Sequence, residues 1–204
     1  MSSLEHDAVN KDTRICFVGD SFVNGTCDPD HLGWAGRICA ESAKPGQVIT
    51  CYNLGVRGDT SVDISSRWKS ECTRRFTDVS DNRLVFSYGV NDCVLVNGQR
   101  RVPVSDSLAY SENTLREAAS LYEVVFIGSP PIDDESQNQS IAELDRALQQ
   151  LCDTLDIPCL SLFDYLHSQP AWMQEVAAND GAHPGKGGYR LIADYIMDWE
   201  GWNV

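Results

Sequence analysis

The sequence predicts a doubly wound α/β domain, that is, a parallel β-sheet of about five strands with helices on both faces. Short apolar runs alternate along the chain with stretches of helical spacing. The runs are nearly continuous rather than alternating, which is typical of strands covered on both faces. No repeat, low-complexity segment or shift in composition divides the 204 residues. We therefore expect one domain over residues 13–204, preceded by a flexible segment over residues 1–12.

Five apolar runs are predicted as buried strands. They are RICFV (14–18), QVITCYNL (47–54), RLVFSY (83–88), EVVFIG (123–128) and IPCLSL (157–162). Because strand and helix alternate throughout, right-handed crossovers and a parallel sheet are favoured over hairpins.

The predicted helices fill the segments between and after these strands. The first three cover 33–43, 60–76 and 105–121. The fourth has an apolar stripe of Ile141, Leu144, Leu148, Leu151 and Leu155, and the last a stripe of Ile192, Ile196 and Trp199. Such stripes indicate helices with one face packed on a core.

The chain is acidic, with 30 Asp and Glu against 16 Lys and Arg and a formal net charge of −14. Nucleic acid is disfavoured as a partner because its phosphates would be repelled. The basic pairs at 74–75 and 100–101 are interpreted as solvated surface. The acidity itself is interpreted as a solubility feature, with exclusion of anionic membranes and anionic substrates as the alternative.

The sequence gives no indication of a membrane partner. It has no apolar window of membrane-spanning length, and residues 1–12 lack the apolar core of a secretory signal. We expect a cytoplasmic protein, unless a signal has been removed. The sequence carries no signal of oligomeric state.

The eight cysteines are predicted to be reduced thiols in the core. They are Cys16, Cys27, Cys39, Cys51, Cys72, Cys93, Cys152 and Cys159. Their even number leaves a disulfide framework as the alternative. However, no CxxC pair and no Cys/His cluster with zinc-finger spacing occurs, and several lie in apolar strand-like runs.

Small and polar clusters follow the predicted strands. They are Gly19-Asp20-Ser21, Asn53-Leu54-Gly55-Val56-Arg57-Gly58, Gly89-Val90-Asn91-Asp92 and, before the last helix, the run DGAHPGKGGY (180–189). Doubly wound folds bind ligands beyond the carboxyl ends of their strands, so all four clusters are expected at one rim.

Taken alone, each cluster has an ordinary interpretation. A serine after a strand is usually a helix or turn cap, and Asn91 would close an Asx turn. An Asp-x-x-His pair is usually solvated surface, and the spacing recurs at Asp164 and His167 without a glycine-rich tail or a final helix after it.

Together, in this order, the four clusters resemble the blocks of the SGNH hydrolase superfamily, also called the GDSL esterase/lipase family. The resemblance spans residue 14 to about residue 199 and implies a flavodoxin-like sheet. It implies Ser21 as nucleophile, His183 as its base and Asp180 as the acid that orients the base. It assigns the oxyanion donors to the backbone N–H of Ser21, the backbone N–H of Gly55 and the side-chain amide of Asn91.

The resemblance makes Asp20 and Asp92 structural, and it requires no metal and no organic cofactor. Pro184 is expected in the first turn of the last helix. Phe22 stands where the family name has Leu, and we expect it to pack under the loop. Val90 stands where Thr or Gly is commoner, and neither change removes a chemical group.

The resulting hypothesis is a carboxylesterase or lipase-like serine hydrolase that cleaves a small-molecule ester through an acyl-enzyme on Ser21. A carbohydrate O-deacetylase or a thioesterase would use the same residues, and a non-catalytic flavodoxin-like binding module is the alternative from another class. Loop 128–139 is expected to wall the site. Trp34, Tyr88 and Trp172 are expected in the core, with a pocket lining as the alternative.

Overall fold

The strands of the central sheet follow the apolar runs of the sequence. In the computed structural model, which describes residues 11–204, they are β1 (Lys11–Gly19), β2 (Gln47–Gly55), β3 (Asp81–Ser87), β6 (Glu123–Ile127) and β7 (Cys159–Leu160). A short antiparallel hairpin, β4 (Leu95–Val96) and β5 (Gln99–Arg100), lies between β3 and β6 in the sequence and forms a separate two-stranded sheet. The five sheet strands are parallel, in the order β2-β1-β3-β6-β7, which confirms the predicted flavodoxin-like α/β class.

Helices form two groups around this sheet. Those described are α1 (Ser21–Asn24), α2 (Gly33–Ser42), α3 (Ser61–Thr73), α4 (Val104–Ala119), α5 (Glu135–Leu155), α6 (Phe163–His167), α7 (Pro170–Ala178) and α8 (Lys186–Met197). Helix α2 packs against α8, whereas α4 packs against both α3 and α5. None of these helices is long and apolar enough to cross a membrane.

Strand register places the candidate residues at one edge. Gly19 of β1 pairs with Gly55 of β2 on one side and with Ser87 of β3 on the other. Because these three strands end at the same level, the segments that follow them emerge side by side, as the rim prediction requires.

Burial along the strands reflects their position in the sheet. Residues 15–18 of β1, which has a neighbouring strand on each side, are completely buried, as a continuous apolar run predicts. The run QVITCYNL does form β2, but only Leu54 of it is buried. The expectation of burial was wrong there because β2 is an edge strand, whose outer side has no neighbour.

Several boundaries differ from the sequence prediction. β1 begins at Lys11, because its pairing with β2 extends from Lys11 and Gln47 onward. The predicted flexible segment 1–12 otherwise lies outside the described residues. β7 is only two residues long, since α6 begins at Phe163. Loop 128–139 ends early because Asp134 caps α5 by accepting a hydrogen bond from Gln137 N. The hairpin and the helices α1, α6 and α7 were not predicted.

The eight cysteines are not joined by disulfides in this structure. Cys16, Cys39, Cys72, Cys93 and Cys152 are buried and Cys159 is partly buried. Cys27 and Cys51 are exposed, contrary to the expectation of core positions, because one lies in a rim loop and the other on the edge strand.

The three large aromatic residues lie in the core rather than in a pocket wall. Trp34, Tyr88 and Trp172 are all almost completely buried. Tyr88 donates its hydroxyl proton to Ser111 Oγ at 3.1 Å, and the Trp172 indole N–H donates to the Pro131 carbonyl at 3.0 Å.

Candidate active site

Ser21 is the first residue of the one-turn helix α1, immediately after β1. The cap of this helix is Asp20, whose Oδ1 accepts a hydrogen bond from Phe22 N at 2.9 Å. Gly25, with φ of 83°, ends the turn, and its N–H donates to the Ser21 carbonyl. The simple interpretation of Ser21 as a cap is therefore wrong, and its hydroxyl is free for another partner.

That partner is His183. The distance from Ser21 Oγ to His183 Nε2 is 2.7 Å, although the residues are 162 positions apart in the sequence. His183 Nδ1 lies 2.8 Å from Asp180 Oδ2. Ser21 and His183 are only 6% and 8% exposed, whereas the Asp180 side chain is 42% exposed. The structure thus brings together the three residues in the order that nucleophilic catalysis requires.

Asp180 also holds the turn that carries His183. Its Oδ1 accepts hydrogen bonds from the backbone N–H of Ala182 at 3.0 Å and of His183 at 2.8 Å. Partial burial opposes ionisation, but the hydrogen bonds from the His183 backbone and ring outweigh it and lower the Asp180 pKa to about 2. The carboxylate is therefore charged near neutral pH and fixes the proton of His183 on Nδ1.

Further contacts hold the imidazole of His183. The Asn179 side-chain amide donates to the His183 carbonyl at 3.1 Å, and the Phe22 ring lies 4.9 Å from the imidazole between centroids. Phe22 is buried, as expected. Pro184 was expected in the first turn of the last helix, but α8 begins at Lys186 after the cap residue Gly185, so Pro184 belongs to the preceding loop.

The second Asp-x-x-His pair is not part of this arrangement. His167 lies at the end of α6, where its ring stacks on Phe163 at 5.7 Å between centroids.

Gly55 lies against the main chain of the nucleophile loop. A Cβ at this position would lie closest to Asn24 N, 2.7 Å from Asn24 Cα and 2.8 Å from the Asp20 carbonyl oxygen, so only glycine fits. The Gly55 N–H donates to Asn53 Oδ1 at 3.0 Å, and the Asn53 amide donates to the Val23 carbonyl at 2.7 Å. The candidate oxyanion donor is thus paired with Asn53 in this structure.

Asn91 is likewise engaged. Its side-chain amide donates to Asp20 Oδ2 at 3.2 Å and to the Asp59 carbonyl at 3.0 Å. Burial raises the pKa of Asp20 to about 7, and the nearby Asp92 adds to this effect. Asp92 accepts hydrogen bonds from the backbone N–H and the hydroxyl of Ser61. The hydrogen bonds of both aspartates fit the structural roles expected for them.

The Ser21 N–H differs from the other two candidate donors. It belongs to the first residue of α1, where a helix offers no acceptor of its own. An incoming oxyanion could therefore accept a hydrogen bond from Ser21 N–H without displacing another acceptor. At Gly55 and Asn91 the oxyanion would have to share the donor with its present acceptor or displace that acceptor.

Two loops complete the rim. The Asp133 N–H donates to the Gly181 carbonyl at 2.8 Å, so the expected wall loop does contact the turn of Asp180 and His183. The unpredicted hairpin is held by Arg101, which donates to the Gly58 carbonyl at 3.0 Å, just beyond Gly55.

Sequence reasoning missed Asn53 and Cys27 at this site. Asn53 stood in the quoted cluster before Gly55, but no spacing rule marks it as an acceptor for that glycine. The thiol of Cys27 lies 3.8 Å from Asp180 Oδ2, across 153 positions of sequence. Only the folded chain brings these two groups together.

Comparison with known proteins agrees with this geometry. The profile of the GDSL-like lipase/acylhydrolase family matches residues 17–191. This chain belongs to that family. As a GDSL-family acylhydrolase, it carries the Ser21 cluster at the position described by the family name, with Phe22 in place of Leu. No match was found among curated proteins.

Solved structures of similar fold include a lipase/acylhydrolase, lipolytic proteins of the G-D-S-L family and an acetylxylan esterase. The lipase/acylhydrolase from Enterococcus faecalis is 24% identical with a TM-score of 0.74, over 91% of this chain and 93% of that chain. A lipolytic G-D-S-L protein from Veillonella parvula DSM 2008 is 19% identical with a TM-score of 0.73, over 94% and 100%. The acetylxylan esterase Axe2 from Geobacillus stearothermophilus is 16% identical with a TM-score of 0.72, over 96% and 99%. At these identities the likeness establishes the shared fold.

Proposed function

We propose that this GDSL acylhydrolase is a serine carboxylesterase that cleaves small soluble esters through an acyl-enzyme on Ser21. The observation that carries the proposal is the 2.7 Å contact between Ser21 Oγ and His183 Nε2, at the carboxyl edge of the sheet. A serine hydroxyl is a weak nucleophile unless a base within hydrogen-bond reach removes its proton.

Acylation begins when Ser21 Oγ attacks the ester carbonyl while its proton passes to His183 Nε2. Ionised Asp180 stabilises the imidazolium through the 2.8 Å contact with Nδ1. The carbonyl oxygen, now negative, accepts hydrogen bonds from the Ser21 and Gly55 N–H groups and from Asn91. His183 then donates its proton to the departing alcohol, and the acyl group remains on Ser21.

Deacylation repeats these steps with water. His183 accepts a proton from water, which attacks the acyl carbon, and returns it to Ser21 Oγ as the carboxylic acid leaves. For the oxyanion to be held in both halves, one Asn91 N–H must be drawn away from Asp20 Oδ2 or the Asp59 carbonyl, and Gly55 N–H from Asn53 Oδ1. The exposed position of that hydrogen bond favours this exchange, because water can solvate the released amide oxygen.

A carbohydrate O-deacetylase is the second candidate. Its support is the open side of the site, where Asp180 is 42% exposed and can lie beside a bulky sugar alcohol. A thioesterase would use the same groups. A binding module is less well supported, because binding alone does not require a serine, an imidazole and a carboxylate in sequence. Eight free cysteines support extending the proposal to a reducing, cytoplasmic compartment.

Hydrolysis of nitrophenyl esters from acetyl to long acyl chains tests the proposal. Ser21→Ala and His183→Ala should lower kcat/KM by at least about 10³-fold. The matched controls are Ser70→Ala, on the exposed side of α3, and His167→Ala, in the second Asp-x-x-His pair. Both controls should keep wild-type activity.

A fluorophosphonate probe identifies the nucleophile independently of the substrate. Mass spectrometry should find the label on Ser21 in the wild type and none in Ser21→Ala. A wild type that hydrolyses no ester and takes up no label would exclude a serine hydrolase, and activity that survives in Ser21→Ala would exclude the assigned nucleophile. Acetylated xylo-oligosaccharides and acyl thioesters compared at equal concentration would separate the three substrate classes.

A further inference from the structure

Cys27 places a thiol beside the proposed catalytic pair. Its Sγ lies 3.8 Å from Asp180 Oδ2, the same oxygen that contacts His183 Nδ1 at 2.8 Å. One ligand atom from each of these three residues lies within 4.8 Å of the other two. Among the described residues, no other group of three His, Cys, Asp or Glu side chains meets this condition.

The loop that carries Cys27 is held firmly on both sides of the thiol. On one side, Tyr189 OH donates to the Thr26 carbonyl at 2.7 Å. On the other, the buried carboxylate of Asp28 pairs with Arg37 and accepts hydrogen bonds from loop N–H groups. The thiol is therefore presented at a fixed position and does not depend on a swinging loop.

The three donors are a thiol sulfur, an imidazole nitrogen and a carboxylate oxygen. This set suits Zn²⁺ and other thiophilic ions and does not suit Mg²⁺ or Ca²⁺, which prefer oxygen ligands alone. Zinc bonds of about 2.0–2.3 Å in tetrahedral geometry separate two ligand atoms by about 3.4 Å. The Sγ to Oδ2 distance of 3.8 Å is near this value, while the Nδ1 to Oδ2 distance must widen from 2.8 Å.

We propose that Cys27, Asp180 and His183 form an inhibitory site for Zn²⁺ or another thiophilic divalent ion. The inhibition, though not the binding, rests on the proposed function. Cys27 and Asp180 are both exposed, so the ion can reach the site from solvent, and water completes its coordination.

Binding at this site stops the proton transfer on which hydrolysis depends. The Cys27 thiol proton passes to solvent as sulfur coordinates the ion. The ion replaces the proton on His183 Nδ1, and that proton is taken up at Nε2 through solvent. Nε2 then carries a hydrogen toward Ser21 Oγ and has no lone pair to accept the serine proton, so the hydroxyl stays inactive.

Zinc chloride titrated into an assay of nitrophenyl acetate hydrolysis tests the inhibition. The wild type should lose activity as Zn²⁺ is added and regain it with a chelator. Cys27→Ser, measured relative to its own activity without Zn²⁺, should need at least roughly tenfold more Zn²⁺ for the same fractional inhibition. Cys51→Ser, which removes the other exposed thiol, should be inhibited like the wild type, and magnesium chloride should inhibit none of the three.

Calorimetric titration of Ser21→Ala with zinc chloride tests the binding without any turnover. This variant retains all three ligands and should bind one Zn²⁺ per chain, whereas the double variant Ser21→Ala, Cys27→Ser should bind at least roughly tenfold more weakly. Binding here would stand even if the wild type hydrolysed no ester, in which case only the proposed function would fail. If the wild type is active and Zn²⁺ inhibits it no more than Cys27→Ser, or Ser21→Ala binds no Zn²⁺, the inhibitory site is overturned while the esterase proposal remains.

Discussion

Replacement of Gly55 by alanine should reduce hydrolysis more than it reduces stability. The new Cβ would lie closest to Asn24 N, 2.7 Å from Asn24 Cα and 2.8 Å from the carbonyl oxygen of Asp20. Relaxed carbon atoms lie about 3.5 Å apart, so the end of β2 and the nucleophile loop must separate by at least about 0.8 Å. All three crowded atoms belong to the main chain, so no side-chain rotation relieves the contacts.

This displacement moves Ser21 relative to His183 and to the other oxyanion donors. Because a misplacement of about 1 Å can lower a rate about 10²-fold, we expect kcat for nitrophenyl acetate to fall by about two orders of magnitude. Crowding of this kind lowers the free energy of unfolding by about 1–3 kcal/mol. Steady-state kinetics and urea unfolding of the same preparation measure the two effects separately.

Gly58→Ala is the matched control in the same loop. Gly58 has φ of +85° with open space around its Cα, so an alanine there meets no atom within 4 Å. The left-handed backbone lowers stability by about 1–2 kcal/mol without displacing Ser21. Wild-type kcat in Gly55→Ala, or an equal loss of kcat in both variants, would refute the argument from close approach.

Three further predictions follow from the described contacts. Asp180→Asn should lower kcat by about 10²–10⁴-fold, because a neutral amide no longer stabilises the imidazolium of His183; full activity in stopped assays at pH 7 would contradict this. Trp172→Ala should lower the free energy of unfolding by about 3–5 kcal/mol, because it leaves a cavity in the core. Trp172→Phe should lower it by less, because the ring still fills most of the space although the Pro131 carbonyl loses its indole donor. Equal urea midpoints for the two variants would count against a packing role for the Trp172 ring. Burial raises the pKa of Asp20 from an ordinary value of 3.8 to about 7 in the fold, so its stabilisation is complete below pH 4 and is lost as pH rises through 7. This loss is at most about 4 kcal/mol, and Asp20→Asn should flatten the fall of unfolding free energy between pH 4 and 7; an unchanged slope would show that Asp20 titrates normally.

Much of the fold could be predicted because buried strands appear in the sequence as continuous apolar runs and packed helices as apolar stripes. The continuous run at 14–18 predicted a buried strand, and the stripe from Ile141 to Leu155 predicted α5. The position of a strand within the sheet produces no comparable pattern. The run at 47–54 is as apolar as a central strand, yet β2 lies at the edge of the sheet, and only the order of all five strands reveals this.

Site residues could be predicted where a sequence motif specifies them. The hydrogen-bond partners and the exposure of these residues could not, because they depend on contacts in the folded chain. Ser21, Asp180 and His183 followed from the family resemblance, and the structure brings them into contact. The pairing of Gly55 N–H with Asn53 depends on side-chain orientation in the folded chain, which no spacing encodes. Cys27 was expected in the core because cysteine is commonly buried, but the loop closed by Asp28 and Arg37 turns it outward.

Because Ser21 and His183 are far apart in the sequence, ester hydrolysis should appear late in folding. A chain that lacks the turn before α8 can form the nucleophile helix but has no base for it. The base becomes available only when the turn before α8 docks, and the bond from Tyr189 of that helix to Thr26 joins the two ends of the domain. During refolding, recovery of ester hydrolysis should therefore lag behind recovery of the helical signal in circular dichroism. A nascent chain should hydrolyse no ester until its last helix has packed.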